Sequence, residues 1–320
     1  MTRAFALRDV PGLLAIARRS VSLDLEGDVL LGRPPLASAL AGLVGAGHGI
    51  TLVQSAGTSS SRSGFVQARR RVGGTAADVV RLAPPLVESG AALAWQRLLA
   101  DACQRLGARG ARRVYATLPA GDEVALQILQ RVGFAAFSAD VVYRRDDAGP
   151  RLAAPEALAP AADHAARRLV EADRAARERM IEGPESDWHT YPAGGHWPRR
   201  MAAGALLADG ADACGAWRTI EGTAGCWLRA VATDDAAALQ TVAAALDAAR
   251  RGPVWAAARG HQASVHAALR HHGFVPVGER CLMVKHTTRN VVSPAWHEQA
   301  AGAIAPSPPV TPARSRPAGP

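Results

Sequence analysis

The spacing of apolar and polar positions changes repeatedly along this chain, and each change predicts an element. Residues 3–8 (RAFALR) read as a short strand. A helix follows near 10–20, with Leu13, Leu14, Ile16 and Ala17 on one face. Residues 49–56, 65–71 and 78–84 read as strands of an antiparallel meander, broken by the turn-rich stretch 57–64 (GTSSSRSG). A long helix is predicted over 89–107, a strand over 112–119, a helix over 121–131 and a last strand, ADVVYRR, at 139–145. Gly133 stands where a helix closes in the left-handed conformation. Residues 147–162, rich in Ala, Pro and Gly, read as a junction. Helical pattern resumes at 163–182, and 188–198 (WHTYPAGGHWP) reads as a loop. Strands follow at 213–220 and 225–233, then a helix (235–250), a strand (253–259), a helix (261–271) and a strand (280–286).

The second series repeats the first. "LQRVGFAAFSADVVYRR" (129–145) and "LRHHGFVPVGERCLMVK" (269–285) each place Leu four residues before a Gly-Phe pair, then run through a short linker into an apolar strand with a basic end. At the same offset of 140 residues, Val114-Tyr115-Ala116 faces Val254-Trp255-Ala256, and Ala102 and Leu106 face Val242 and Leu246. Several elements in order at one spacing indicate two tandem copies of a domain-sized fold rather than a solenoid. The expected boundaries are 1–146 and 163–289, joined by 147–162. The tail, 290–320, has too few large apolar residues to pack and is expected to be disordered.

Composition narrows the classes. A chain of 320 residues with 48% hydrophobic residues can bury two ordinary cores. The net charge of +9 and pI of about 10.5 raise nucleic acid as a partner. The positive charge is nearly all Arg, with Lys285 the one lysine, and the Arg pairs are scattered apart from Arg69–Arg71. Scattered charge reads as solvated surface, so nucleic-acid binding is the weaker expectation. Cys103, Cys214, Cys226 and Cys281 have no CxxC spacing and are expected as reduced thiols in a cytoplasmic protein. The N-terminal stretch lacks the apolar core of a signal peptide, and no apolar run reaches membrane-spanning length, so no membrane association is expected.

The order strand–helix, meander, "RLAPPLVESGAA" turn into a helix, "RRVYATLP", and "ALQILQRVGF" into a final strand resembles the GNAT superfamily of acetyl-CoA-dependent N-acetyltransferases. The resemblance covers about 1–146, and 151–289 is similar to a divergent second copy. It implies an α/β fold class: two tandem acyl-CoA N-acyltransferase folds, each a mixed, mostly antiparallel sheet flanked by helices. It further implies that the strand before the long helix splays from its neighbour, and that the turn after it binds a pyrophosphate with backbone N–H groups and a helix N-terminus. The family pattern Q/R-x-x-G-x-G/A falls on Val87 to Ala92, with Gly90 and Ala92 at the small positions. Val87 departs from the Gln/Arg position, and Glu88 brings a negative charge. The implied acetyl-CoA contacts are Leu82, Pro84, Ser89, Gly90, Ala91, Ala92 and Asp122. The competing reading of the turn is a plain helix start capped by Ser89. In the second copy no glycine remains in the turn, and Asp234 and Asp235 would repel a phosphate.

The family's acid, a Tyr four residues before the Gly, is replaced by Leu129 and Leu269. The remaining catalytic candidates are Glu88, which reads better as a helix-start charge, and Tyr143, which reads better as a packed aromatic. His261, His266, His271 and His272 fall on one helix, with His261/His266 and His266/His271 at i,i+5 spacing, and read as surface residues, so no metal is expected. The loop 188–198 could line an acceptor pocket or pack on itself. The expectation is an N-acyltransferase that moves an acetyl group to an amine of a small molecule or peptide in its first copy. Its rival is a catalytically inactive GNAT-like binding or interaction protein.

Overall fold

The computed structural model describes residues 2–31, 36, 39–40, 49–54, 63–71, 74–146, 160–182, 200–208, 212–249 and 252–287. The expected loops 57–62 and 188–198, most of the junction and the tail lie outside them. The strands are β1 (Thr2–Ala4), β2 (Val21–Ser22), β3 (Gly49–Gln54), β4 (Gly64–Arg70), β5 (Ala76–Ala83), β6 (Arg113–Pro119), β7 (Ala135–Arg145), β8 (Arg200–Leu207), β9 (Ala213–Glu221), β10 (Cys226–Ala232), β11 (Val254–Arg259) and β12 (Val275–His286). The helices are α1 (Val10–Ala17), α2 (Leu25–Leu31), α3 (Ala91–Ala108), α4 (Glu123–Arg131), α5 (Pro160–Asp173), α6 (Ala176–Glu182), α7 (Asp235–Ala248) and α8 (Ala263–His271). All strands join one mixed sheet in the order β1-β3-β4-β5-β6-β12-β7-β11-β10-β9-β8, with β2 on β5.

The sheet order shows an exchange of the terminal strands. The last strand of the second half, β12, lies between β6 and β7 of the first, and β7 lies between β12 and β11. The ladders obey one symmetry. Arg280 faces Pro119 and His286 faces Arg113, while Asp140 faces Arg259 and Val254 faces Arg145. Adding 140 to one partner and subtracting it from the other converts the first ladder into the second. The β7–β12 ladder maps onto itself, with Asp140 opposite Arg280 at its centre. Its two bulges, at Phe137 and Val277, are likewise equivalent. A pseudo-twofold axis therefore passes between Asp140 and Arg280.

The cores follow the strands. One face carries α3 and α4, whose Trp95, Leu98, Leu99, Leu106, Ile128 and Leu129 pack on the first half's strands and on Met283 of β12. On the same face α7 and α8 bury Val242, Leu246, Val265 and Leu269 with Tyr143 of β7. Met283 and Tyr143 are symmetry equivalents, and both are fully buried in the other half's core. Each such burial is worth about 1.5–3 kcal/mol, so the exchange couples the halves energetically. The opposite face is exchanged as well. Val29 and Leu30 of α2 pack on Ile220, Trp227 and Ala257, and Ile181 of α6 packs beside Tyr115 and Phe137.

The α3 pattern is amphipathic as predicted, with Ala94, Trp95, Leu98, Ala102 and Leu106 turned inward. Gly133 and Gly273 close α4 and α8 at φ of 96° and 80°, which other residues rarely adopt. Two elements depart from the sequence reading. The stretches after each Gly-Phe pair are not linkers, because β7 begins at Ala135 and β12 at Val275. The sequence pattern also missed β2, α2 and β8; in β8, RMAAGALL has neither alternation nor β-branched side chains.

Candidate functional site

Strand β5 pairs with β6 only from Ala76 to Asp78, opposite Arg113 to Tyr115. Beyond that the two strands part. A bulge helps: Val79 faces Ala68 and Arg81 faces Gln67, which leaves Val80 as the extra residue. Past Ala83 the chain turns through residues 84–90 into α3. Trp95, fully buried, donates its indole N–H to the Pro84 carbonyl at 2.7 Å and pins the turn. Glu88 N donates to Pro85 O at 3.0 Å, Ala91 N to Glu88 O at 3.1 Å, and Ala94 N to Gly90 O at 3.2 Å.

The helix cap is Gly90, left-handed at φ 80° and without a side-chain cap bond. Ser89 is exposed and is not the cap, so the expected Ser89 cap is replaced by Gly90. In the first turn of α3, Ala91 is buried, and Ala92 and Leu93 are exposed. The carboxylate of Glu88 lies 2.7 Å from Arg19 of the segment after α1. Ser89 and Ala92 are exposed and Gly90 is half-buried, while Pro84 and Ala91 are buried beside them. Leu82 is fully buried in the first core. Asp122 lies at the start of α4, where its carboxylate accepts the Ala125 N–H at 3.0 Å.

The other edge of the splay was not foreseen. Val21 and Ser22 of β2 pair with Leu82 and Arg81, and Leu23 N donates to Val80 O at 2.9 Å. At those positions β4 already holds one edge of β5. Strand β2 therefore occupies the edge that faces the gap toward β6.

The second half splays too. Strand β10 pairs with β11 only from Cys226 to Leu228. Its helix start is closed by its own acid: Asp234 caps α7 by accepting the Ala237 N–H at 2.9 Å and the Thr233 hydroxyl at 2.8 Å. These bonds hold the Asp234 carboxyl below the ordinary aspartate range.

Leu129 and Leu269 are both fully buried core residues. Tyr143 is also fully buried, in the second core and not beside the α3 turn. Its hydroxyl lies 2.8 Å from His266 Nδ1, and desolvation pushes its pKa up. His266 is buried rather than surface, with Nε2 2.8 Å from the Arg259 carbonyl. A carbonyl can only accept, so Nε2 carries the proton and Nδ1 accepts from Tyr143. His261 stands 3.5 Å from Asp173 and 3.9 Å from Glu178. No group of three or more His, Cys, Asp or Glu residues gathers in metal-binding geometry among the described residues. No described helix is long and apolar enough to cross a membrane.

On the face opposite α3, charged side chains surround the first splay. Arg69 pairs with Asp24 at 2.9 Å, Arg71 with Asp78 at 2.8 Å, and Arg81 with Asp28. Arg280 reaches the same region from β12, where Asp28 and Asp24 act on it electrostatically. Burial pushes the Asp24 carboxyl up, against the pull of Arg69. Sequence reasoning missed these residues because α2 carries no periodic signal and Arg280 belongs to the other half of the chain.

No family model matches the sequence, and no curated protein does. Solved structures do. A GCN5-related N-acetyltransferase from Sphaerobacter thermophilus is 17% identical, with 89% of this chain and 95% of that one covered and a TM-score of 0.51. A tandem GNAT protein from the clavulanic acid biosynthesis pathway is 16% identical over 90% of this chain and 99% of that one, at a TM-score of 0.48. A GCN5-related N-acetyltransferase from Anabaena variabilis is 11% identical over 89% of this chain and 72% of that one, at 0.40. With its splayed strands, the helix that follows each and the duplicated order, this chain has the fold of the GCN5-related N-acetyltransferases, written twice in one sheet.

Proposed function

We propose that the protein is an acetyl-CoA-dependent N-acyltransferase whose first half binds the co-substrate and whose second half supports that site. The observation that carries this reading is the difference between the two helix starts. The α3 start has a left-handed glycine and no side-chain cap, so its N–H groups and dipole favour an anion. The α7 start is filled by Asp234. Gly90, Ala91 and Ala92 would lie against the pyrophosphate, with Pro84 and Ser89 flanking it and Leu82 supplying the floor of the thioester channel. In the reaction the amine nitrogen bonds to the thioester carbonyl carbon, the C–S bond breaks, and the thiolate takes a proton from water. The proton lost by the amine goes to a base. We assign neither role to Tyr143, which is sealed in the second core, nor to Glu88, which is held by Arg19. Asp122 acts as the cap of α4. The acceptor is an amine of a small molecule or peptide.

A second reading has its own observation. Strand β2 lies along the β5 edge where an extended thioester arm would pair, which favours an eroded site serving as a binding module. The melting temperature separates the two. Acetyl-CoA at millimolar concentration is expected to raise it by mass action, and Gly90→Glu to abolish the rise. No rise in the wild-type chain would leave only the second reading.

A further inference from the structure

We infer that Arg280 is the anion-recognition residue of the first half's acceptor site, and that the acceptor amine also carries a carboxylate or phosphate group. This rests on the acyltransfer reading for the word acceptor; the anion site itself rests on the four observations below.

The first is position. Arg280 faces Pro119 at the end of β6, where β5 and β6 have parted. On β12 it alternates with Cys281 and Met283, which pack toward α3 and α4. Its side chain therefore lies on the opposite face, where burial pushes its pKa down against the raising effect of Asp28 and Asp24.

The second is charge. Arg69, Arg71 and Arg81 each have a carboxylate, in Asp24, Asp78 and Asp28. The cross-strand neighbour of Arg280 is Asp140, but that carboxylate is turned to Arg259 at 3.4 Å. Arg280 is the cation left over in this group.

The third is hydrogen bonding. Nη1 of Arg280 is buried and has no hydrogen-bond partner among the described residues. A guanidinium held this way costs free energy unless an anion completes it, and its planar fork matches a carboxylate or phosphate.

The fourth is the duplication itself. The symmetry equivalent of Arg280 is Asp140. The fold at this position accepts either sign, so a cation there is not a requirement of the repeated architecture.

The test uses the full chain, with and without saturating CoA, at fixed ionic strength. Melting shifts are recorded for 4-aminobutyrate against butylamine and for O-phosphoethanolamine against ethanolamine, with inorganic phosphate as a bare anion. The carboxylate- or phosphate-bearing member of at least one pair should raise the melting temperature, and its twin without that group should not. The comparison between pairs distinguishes carboxylate from phosphate. Arg280→Gln should need at least ~10-fold more anionic ligand for the same shift, should keep the acetyl-CoA shift, and should melt no lower than wild type. Equal shifts within both pairs, no shift with any anion, or an Arg280→Gln chain that melts lower would each overturn the proposal. Failure of acetyl-CoA alone to shift the wild type would remove the acyltransferase reading, while the anion comparison would still be read separately.

Discussion

The Tyr143 hydroxyl donates to His266 Nδ1 at 2.8 Å, joining the last strand of the first half to the last helix of the second. His266 passes the interaction on to the Arg259 carbonyl through Nε2. The pair is a polar rivet in an apolar core, and it exists only because β7 is inserted beside β11. Tyr143→Phe leaves the His266 acceptor buried without a donor. We expect a loss of about 1–3 kcal/mol in urea unfolding, with no change in the acetyl-CoA melting shift. An unchanged midpoint would mean that the bond contributes nothing net.

The exchange of β7 and β12 makes a prediction about fragments. A chain ending at Asp146 keeps α3 and α4 but loses β12, and with it Met283 from the first core. It should show no cooperative unfolding by circular dichroism. Co-expression with residues 147–320 should restore a soluble complex that unfolds in one transition. An independently folded 1–146 fragment would show that β6 can be closed by another segment.

Strand β2 should compete with the co-substrate. It holds the β5 edge through Val21, Ser22 and the Leu23 N–H. Releasing it draws on the binding energy of any arm that pairs with β5. Val21→Gly with Ser22→Gly weakens β2 and should lower the acetyl-CoA concentration needed for half-maximal melting shift ~3–10-fold. An unchanged value would place the thioester arm elsewhere.

Thiol reactivity should separate the four cysteines. Burial raises Cys103 to about 11 and Cys226 to about 12. At pH 8 about one in a thousand Cys103 side chains is then a thiolate, and fewer of Cys226. Mass spectrometry after alkylation of the folded protein should find Cys214 modified first, and Cys103 and Cys226 only after unfolding. Early labelling of Cys226 would contradict the packing of the second core.

The candidate site was partly legible in the sequence. The turn from Pro84 to Ala92 was found because Gly and Pro punctuate it, and its position between an apolar strand and a long amphipathic helix is a local property. Asp122 was found at its place in the chain, but its carboxylate turned out to be committed to Ala125. The role of Tyr143 could not be read, since a strand residue's burial depends on which helix covers it. The charged group around Asp24, Asp28, Arg81 and Arg280 was invisible for the same reason. Its members lie far apart along the chain, on elements with weak periodicity.

By itself the sequence determined most of the elements, the helix-closing glycines and the duplication at 140 residues, because these follow from period, backbone conformation and repetition within short windows. Only the tertiary structure decided that the two copies trade their last strands. Strand pairing is a backbone interaction and carries almost no side-chain code for the choice of partner. A strand such as β12 satisfies its apolar pattern equally beside β6 or β11. That choice also brings Arg280 of the other half opposite Pro119, at the end of β6 where β5 has parted from it.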